Sequence, residues 1–218
     1  VDKEKIKVTG IPIRPQFGIT LSPAELRAEK GLPPDRPVIL VMSGGNAIGP
    51  LMEILEVLER VPEDFTAVVI TGKNEKTRNA LAEAREKFHF TLHLPGYVHD
   101  MHKWMRLSDF LISKAGGLTV SEALAVGLPI LVVRPTPGQE EANTEFLLKA
   151  GAGYYLKELE DLEPAVRQLL KDPAKLGELR ENAARRGKPG AAREIIKELE
   201  KLEETAEKFS CSISGDLL

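Results

Sequence analysis

With 218 residues the chain has room for one large domain or two small ones, and for a substantial core. Apolar residues make up 42% and the formal net charge is -3, which argues against nucleic acid as a partner, and no apolar run approaches the ~20 residues of a membrane span. The single cysteine, Cys211, excludes an internal disulfide framework and a cysteine-rich metal site; with no signal peptide ahead of Val1 the expected setting is reducing and cytoplasmic, although the chain starts without methionine.

Short β-rich runs follow one another at Val38 to Ser43, Phe65 to Thr71, Thr91 to Leu94, Asp109 to Ser113, Pro129 to Val133 and Gly153 to Leu156. Helical patterns separate them, at Pro50 to Arg60, Glu75 to Lys87, Asp100 to Leu107, Thr119 to Val126 and Glu140 to Ala150. Strands spaced by helices of this length need crossover connections, and those build a parallel sheet covered on both faces. The expected fold is therefore α/β, a Rossmann-like doubly wound parallel sheet. Asp100 is a candidate N-cap, and Gly127 and Gly151 fall just past helix ends.

Beyond Leu156 the chain turns into charged helices, Asp161 to Lys171 and Pro173 to Arg186, then a break at Gly187-Lys188-Pro189-Gly190 and a last helix from Ala191 to about Lys208. Ile195, Ile196, Leu199 and Leu202 give that last helix one apolar stripe, which needs a surface on this domain or a neighbouring one. The segment from Cys211 through Gly215 to the C-terminus reads as a disordered tail.

Two glycine turns carry the chemistry. The strand ending near Ile112 runs into Lys114-Ala115-Gly116-Gly117, and a helix is expected from Leu118 or Thr119. Unpaired N–H groups, close backbone approach at glycine and the helix dipole make this a phosphate site, with the Thr119 and Ser121 hydroxyls in reach. A second turn, Ser43-Gly44-Gly45, comes after the first strand. Neither is a P-loop or a full GxGxxG, and either alone reads first as a tight strand-to-helix turn; two together suggest one nucleotide.

Glu122 lies one turn into the helix after Gly117, where its carboxylate could accept both ribose hydroxyls of a nucleotide or simply complement the helix dipole. Gln139 and Glu140 open a helix after the stiff Pro135-Thr136-Pro137-Gly138 loop, with Asn143 on the same face. His99 and His102 bracket Asp100 with i, i+3 spacing. Without a third ligand they read as a solvated helix start beside the nucleotide pocket and not as a metal site. His89 and His93 read as surface or satisfied core residues, and Trp104 with Met101 and Met105 as an apolar helix face.

Thr9-Gly10-Ile11-Pro12-Ile13-Arg14, Met42-Ser43-Gly44-Gly45, Thr71-Gly72-Lys73-Asn74, Gly96-Tyr97-Val98, the run from Ser113 to Ala123 and Pro137-Gly138-Gln139-Glu140 occur in that order. Together they resemble the C-terminal half of the diacylglycerol glycosyltransferases, the monogalactosyldiacylglycerol synthase and processive diacylglycerol glucosyltransferase group, and more distantly the peptidoglycan N-acetylglucosaminyltransferase that makes lipid II. The resemblance implies the C-terminal domain of a GT-B fold, which holds a UDP-sugar while an N-terminal domain, absent here, holds the acceptor. On that division residues 1–15 are linker, 16–190 the UDP-sugar-binding domain, 191–209 an amphipathic helix and 210–218 a tail.

The resemblance also implies roles. Gly96, Tyr97, Val98 and Met101 would surround the uracil with Arg14 reaching it, and Glu122 would hold the ribose. Ser43, Gly44, Gly45, Gly116, Gly117, Leu118 and Thr119 would cradle the diphosphate, and Gln139, Glu140 and Asn143 would read the sugar. The reaction implied is transfer of a hexose from UDP-glucose or UDP-galactose to a diacylglycerol acceptor, with inversion and without a metal cofactor. The sequence has no Asp-x-Asp motif to hold a metal, and no residue in it is placed to act as the base. A basic and apolar membrane-docking surface is also missing, so the fragment is expected in solution, and peripheral on a membrane only when the full enzyme is assembled. Two other readings of the same residues are a free-standing UDP-sugar-binding subunit that needs a separate acceptor subunit, and a peptidoglycan transferase or UDP-sugar epimerase domain.

Overall fold

A computed structural model describes residues 2–43 and 50–215, with side chains as far as residue 203. Among the described residues six strands form one sheet: β1 (Val38–Met42), β2 (Thr66–Ile70), β3 (Thr91–His93), β4 (Phe110–Ser113), β5 (Ile130–Val133) and β6 (Gly153–Leu156). Every pairing is parallel and the order is β3-β2-β1-β4-β5-β6. This is the doubly wound order, and the expectation of a Rossmann-like α/β fold is met.

The central strands are apolar throughout because both faces are covered. All five residues of β1 and of β2 are buried. Successive side chains point to opposite faces, so Ile39, Val41, Ala67, Val69, Phe110 and Ile112 join one core cluster. Val38, Leu40, Met42, Val68, Ile70 and Leu111 join the other. The first cluster is closed by α2 (Leu51–Leu58), α3 (Glu75–Glu83) and α7 (Leu162–Lys171). The second is closed by α1 (Pro23–Glu29), α4 (Met101–Leu107), α5 (Gly117–Ala125), α6 (Gln139–Ala150) and α8 (Pro173–Arg186), which also sends Leu179 into the first. The segment ahead of the sheet already belongs to this second core, since Ile13 is 7% and Phe17 2% exposed.

Helix ends obey local chemistry at the glycines. Gly151 closes α6 in the left-handed region (φ 63°), and Gly127, just past α5, has φ 70°. Four features differ from what the sequence patterns announce. α1 is not visible as a hydrophobic pattern, yet Ser22-Pro23-Ala24-Glu25 is a helix-start signature: the Ser22 hydroxyl accepts the Glu25 N–H at 3.4 Å with proline at the first turn. α3 stops at Glu83 and tightens into a 3-10 turn over Arg85–Lys87. The tightening delivers Phe88 and Phe90 to the core, where Phe90 stacks on Phe65 at 4.7 Å. Asp100 holds the N-cap position of α4 without capping it, because its carboxylate accepts from Lys30 Nζ at 2.6 Å and Trp104 Nε1 at 3.1 Å.

The fourth concerns the last helix, α9, which runs Ala191–Gly215 and so takes in Cys211 to Gly215, expected as tail. Extending an existing helix adds a hydrogen bond for each residue ordered, and a few polar residues do not stop it.

Candidate functional site

The strand order reverses between β1 and β4, and their carboxyl ends open a crevice at that switch point. β1 leads to Ser43, 7% exposed; Gly44 and Gly45 lie outside the described residues. β4 leads through Lys114 and Ala115 to Gly116, the N-cap of α5 (φ -63°, ψ 142°), and the helix begins at Gly117, one residue earlier than expected. Its first N–H groups therefore face the crevice from Gly117, Leu118 and Thr119.

Side chains from α6 meet this turn. A Cβ on Gly117 would lie 3.4 Å from Gln139 Nε2 and 3.9 Å from Asn143 Nδ2, and one on Gly116 would lie 3.8 Å from Thr119 Oγ1 and 4.0 Å from Glu140 Oε1. The glycines thus leave the backbone bare where Gln139, Glu140 and Asn143 converge. Two of these side chains are already oriented. Asn143 Nδ2 donates to the Ala115 carbonyl at 2.8 Å, and Glu140 Oε2 accepts the Thr136 N–H at 2.5 Å. The neighbouring Glu141 closes the helix start by accepting the Gly138 N–H at 2.9 Å.

Beside the turn lies a cavity of about 320 Å³. Six residues singled out in the sequence line it together: Arg14, Tyr97, Val98, Met101, Leu118 and Glu122. Gly96 is buried at the base of the Tyr97 loop with φ 75°, a conformation that favours glycine. Glu122 is half-buried; burial pushes its carboxyl above the usual carboxylate range, and the Arg14 charge opposes that. The cavity combines apolar side chains, the exposed Tyr97 ring, one carboxylate and one guanidinium, a lining that can take a ligand with a flat ring and polar edges.

Sequence reasoning gave no site role to a third of the wall, the four residues that precede the sheet. Pro12, Ile13, Gln16 and Phe17 line it from the segment before the sheet, and His99 and His102 line it from the start of α4. The His99 ring meets Tyr97 edge-on at 4.9 Å and the His102 ring meets Phe17 at 6.0 Å. Both histidines line the cavity, His99 exposed and His102 half-buried, and burial lowers the pKa of His102. Among the described residues no three His, Cys, Asp or Glu side chains cluster as metal ligands do. His89 pairs with Glu59 at 3.0 Å, His93 packs on Trp104 at 5.4 Å, and Trp104 and Met105 are core.

The model of the glycosyltransferase family 28 C-terminal domain matches residues 38–199. This chain belongs to that family. The family 28 domain is 34% identical over 179 residues to the processive diacylglycerol beta-glucosyltransferase of Bacillus pumilus (strain SAFR-032), covering 81% of this chain and 46% of that protein. It is 35% identical over 216 residues to the probable monogalactosyldiacylglycerol synthase 2, chloroplastic, of Oryza sativa subsp. japonica, covering 94% and 45%. The chain thus spans about half the length of the relatives it matches.

Among solved structures the family 28 domain superposes on Acinetobacter baumannii MurG with a TM-score of 0.63 at 23% identity, covering 77% of this chain and 52% of that one. The lipopolysaccharide glycosyltransferase WaaG gives 0.64 at 20%, covering 88% and 53%. Those likenesses establish the GT-B-type Rossmann fold. Among the described residues no helix is long and apolar enough to cross a membrane.

Proposed function

We propose that this family 28 domain is the donor half of an inverting glycosyltransferase: it binds a UDP-hexose across the switch-point crevice, and the complete enzyme passes the hexose to diacylglycerol. The observation that carries this reading is the single cavity into which Arg14, Tyr97, Val98, Met101, Leu118 and Glu122 converge beside the bare start of α5. Uracil fits against Tyr97, Val98 and Met101 under Arg14, and the two ribose hydroxyls donate to the Glu122 carboxylate. The diphosphate takes the N–H groups of Gly117 to Thr119, with Gly116 leaving room and Ser43 contributing from the end of β1. Gln139, Glu140 and Asn143 are left for the hexose hydroxyls.

In the reaction the bond from the anomeric carbon to the diphosphate oxygen breaks and a new one forms to the acceptor oxygen, whose proton goes to a base. Charge builds on the departing diphosphate, and preorganised amides at a helix start stabilise charge that develops there. On this reading the domain supplies leaving-group stabilisation from its own backbone and needs no metal for it. The base and the acceptor pocket belong to the other half of the enzyme, as the relatives' greater length suggests.

Calorimetry tests the donor site. The chain is expected to bind UDP at sub-millimolar to millimolar concentration, with the same affinity in the presence of a chelator. An absence of heat at millimolar UDP would remove the donor-site reading, and binding lost to the chelator would remove its metal-free form.

A further inference from the structure

Arg106, on α4, does not line the cavity. Its Nη2 donates to the carbonyl oxygen of Phe17 at 3.1 Å, a contact between positions 89 residues apart. Its Nε is shut off from solvent without a hydrogen-bond partner, and burial lowers the pKa of the guanidinium. Leaving a half-buried cation with one donor unsatisfied is unfavourable. The position of Phe17 offers a reason. Phe17 belongs to the 3-10 turn Pro15–Gly18, whose N-cap is Arg14, and Arg14, Gln16 and Phe17 all line the cavity.

The turn's own hydrogen bonds are local: Phe17 N–H to the Arg14 carbonyl at 3.1 Å and Ile19 N–H to the Gln16 carbonyl at 3.3 Å. They fix its shape but not its seat on the domain. The turn also packs against α5; its seat on α4 comes from the buried Phe17 ring, edge-on to His102, and from Arg106 one turn further along that helix. A guanidinium is suited to this, since its planar fork is preorganised and keeps its charge when buried.

We propose that Arg106 is a positioning residue: by holding the Phe17 carbonyl it seats the Arg14-to-Gly18 turn on α4 and so sets the wall against which the nucleoside is read. The proposal rests on the nucleotide reading of the cavity. Arg106→Met keeps an apolar stem of similar length and removes the donor, and Arg106→Lys keeps the charge as a point donor. Hydrogen exchange at the Phe17 and Ile19 amides should accelerate about ten- to a hundredfold in Arg106→Met, the range for a hydrogen bond to a charged group, with β1 and β4 amides unchanged. Calorimetry should show uridine and UDP weakened by a similar factor, inorganic pyrophosphate unaffected, and Arg106→Lys intermediate.

Unchanged exchange at Phe17 and Ile19, or acceleration shared by the whole sheet, overturns the proposal. So does a loosened turn with uridine affinity intact, or an equal loss for uridine and pyrophosphate. If Arg106→Met does not fold, the same measurements on Arg106→Lys decide. Should the unmodified chain bind neither uridine nor UDP, the donor-site reading fails, and the exchange data still tell whether Arg106 holds the turn.

Discussion

Glu122 lies in a wall that penalises its charge while facing a space where, on the proposed reading, two ribose hydroxyls need that charge. Its carboxyl pKa is raised by burial, with Arg14 acting against the shift. The folded chain therefore holds this proton more tightly than the unfolded chain. The stability this gives is present below the ordinary carboxylate pKa and is lost as pH rises through the raised value. Glu122→Gln cannot lose it. The variant should melt higher than the parent at neutral pH, with the gap closing in acid.

Ligand binding runs the other way, because ribose donors favour the ionised carboxylate. Affinity for UDP-glucose, which lacks the terminal phosphate that titrates near ~6, should fall as pH drops through the raised Glu122 value, and be flat in Glu122→Gln. At neutral pH Glu122→Ala should weaken UDP by about 1.5 to 3 kcal/mol and 2′-deoxy-UDP far less. Equal losses for both ligands would return Glu122 to a helix-start role.

Elements meet the site through close approaches that glycine permits. A Cβ on Gly187, just past α8, would collide with the Leu124 carbonyl and lie 2.8 Å from Ala125 Cα, so α8 rests directly on the backbone of α5. Gly187→Ala should cost about 1 to 3 kcal/mol as the two helices are forced apart. A methyl group at Gly177, inside α8, would meet nothing within 4 Å, and Gly177→Ala should stabilise by up to about 1 kcal/mol through helix propensity alone. Urea midpoints moving in opposite directions with unchanged slopes would check the pair. Midpoints moving together would mean that α8 does not press on α5.

The same scale explains which elements are legible in the sequence. Strands such as Val38–Met42 and the helix from Pro173 announce themselves by composition and caps, and Gly116-Gly117 by a strand running into a helix. Phe17 gives no such signal. Its place in the wall depends on contacts with His102 and Arg106, far along the chain, and no local period encodes that. α1 is hidden for a related reason, since Leu26 is its sole fully buried residue and the helix is marked by its cap instead. Asp100 shows the opposite error: the residue type suits a cap, but Lys30, 70 positions away, takes its carboxylate.

At the scale of the molecule, a chain that spans about half the length of its relatives carries the groups proposed for the donor side, and the histidines nearest them, His99 and His102, line the end proposed for the nucleoside. A base must come within about 3 Å of the acceptor hydroxyl, directly or through one water, and supplies about 10² to 10⁴ in rate. The chain alone should therefore give no glycolipid from radiolabelled UDP-glucose or UDP-galactose with diacylglycerol micelles, and joining it to an acceptor domain of a relative should restore transfer. Product from the chain alone, abolished by His99→Ala or His102→Ala, would place the base in this half. The outward apolar side chains of α9, Ile196, Leu199 and Leu202 at 54%, 55% and 66% exposed, give such a partner an apolar surface to cover.

Ile13 and Phe17 are core residues although they precede the sheet by more than a helix, and this constrains mechanics as well as packing. Any rigid body attached ahead of them can swing relative to the sheet only about bonds that no buried side chain resists. Those lie among residues 2 to 12, where Gly10, with φ 95°, is the one described residue in the left-handed region. The axis of opening and closing would then pass beside the cavity that Arg14 and Glu122 line and leave Arg14 fixed to this domain through the whole stroke.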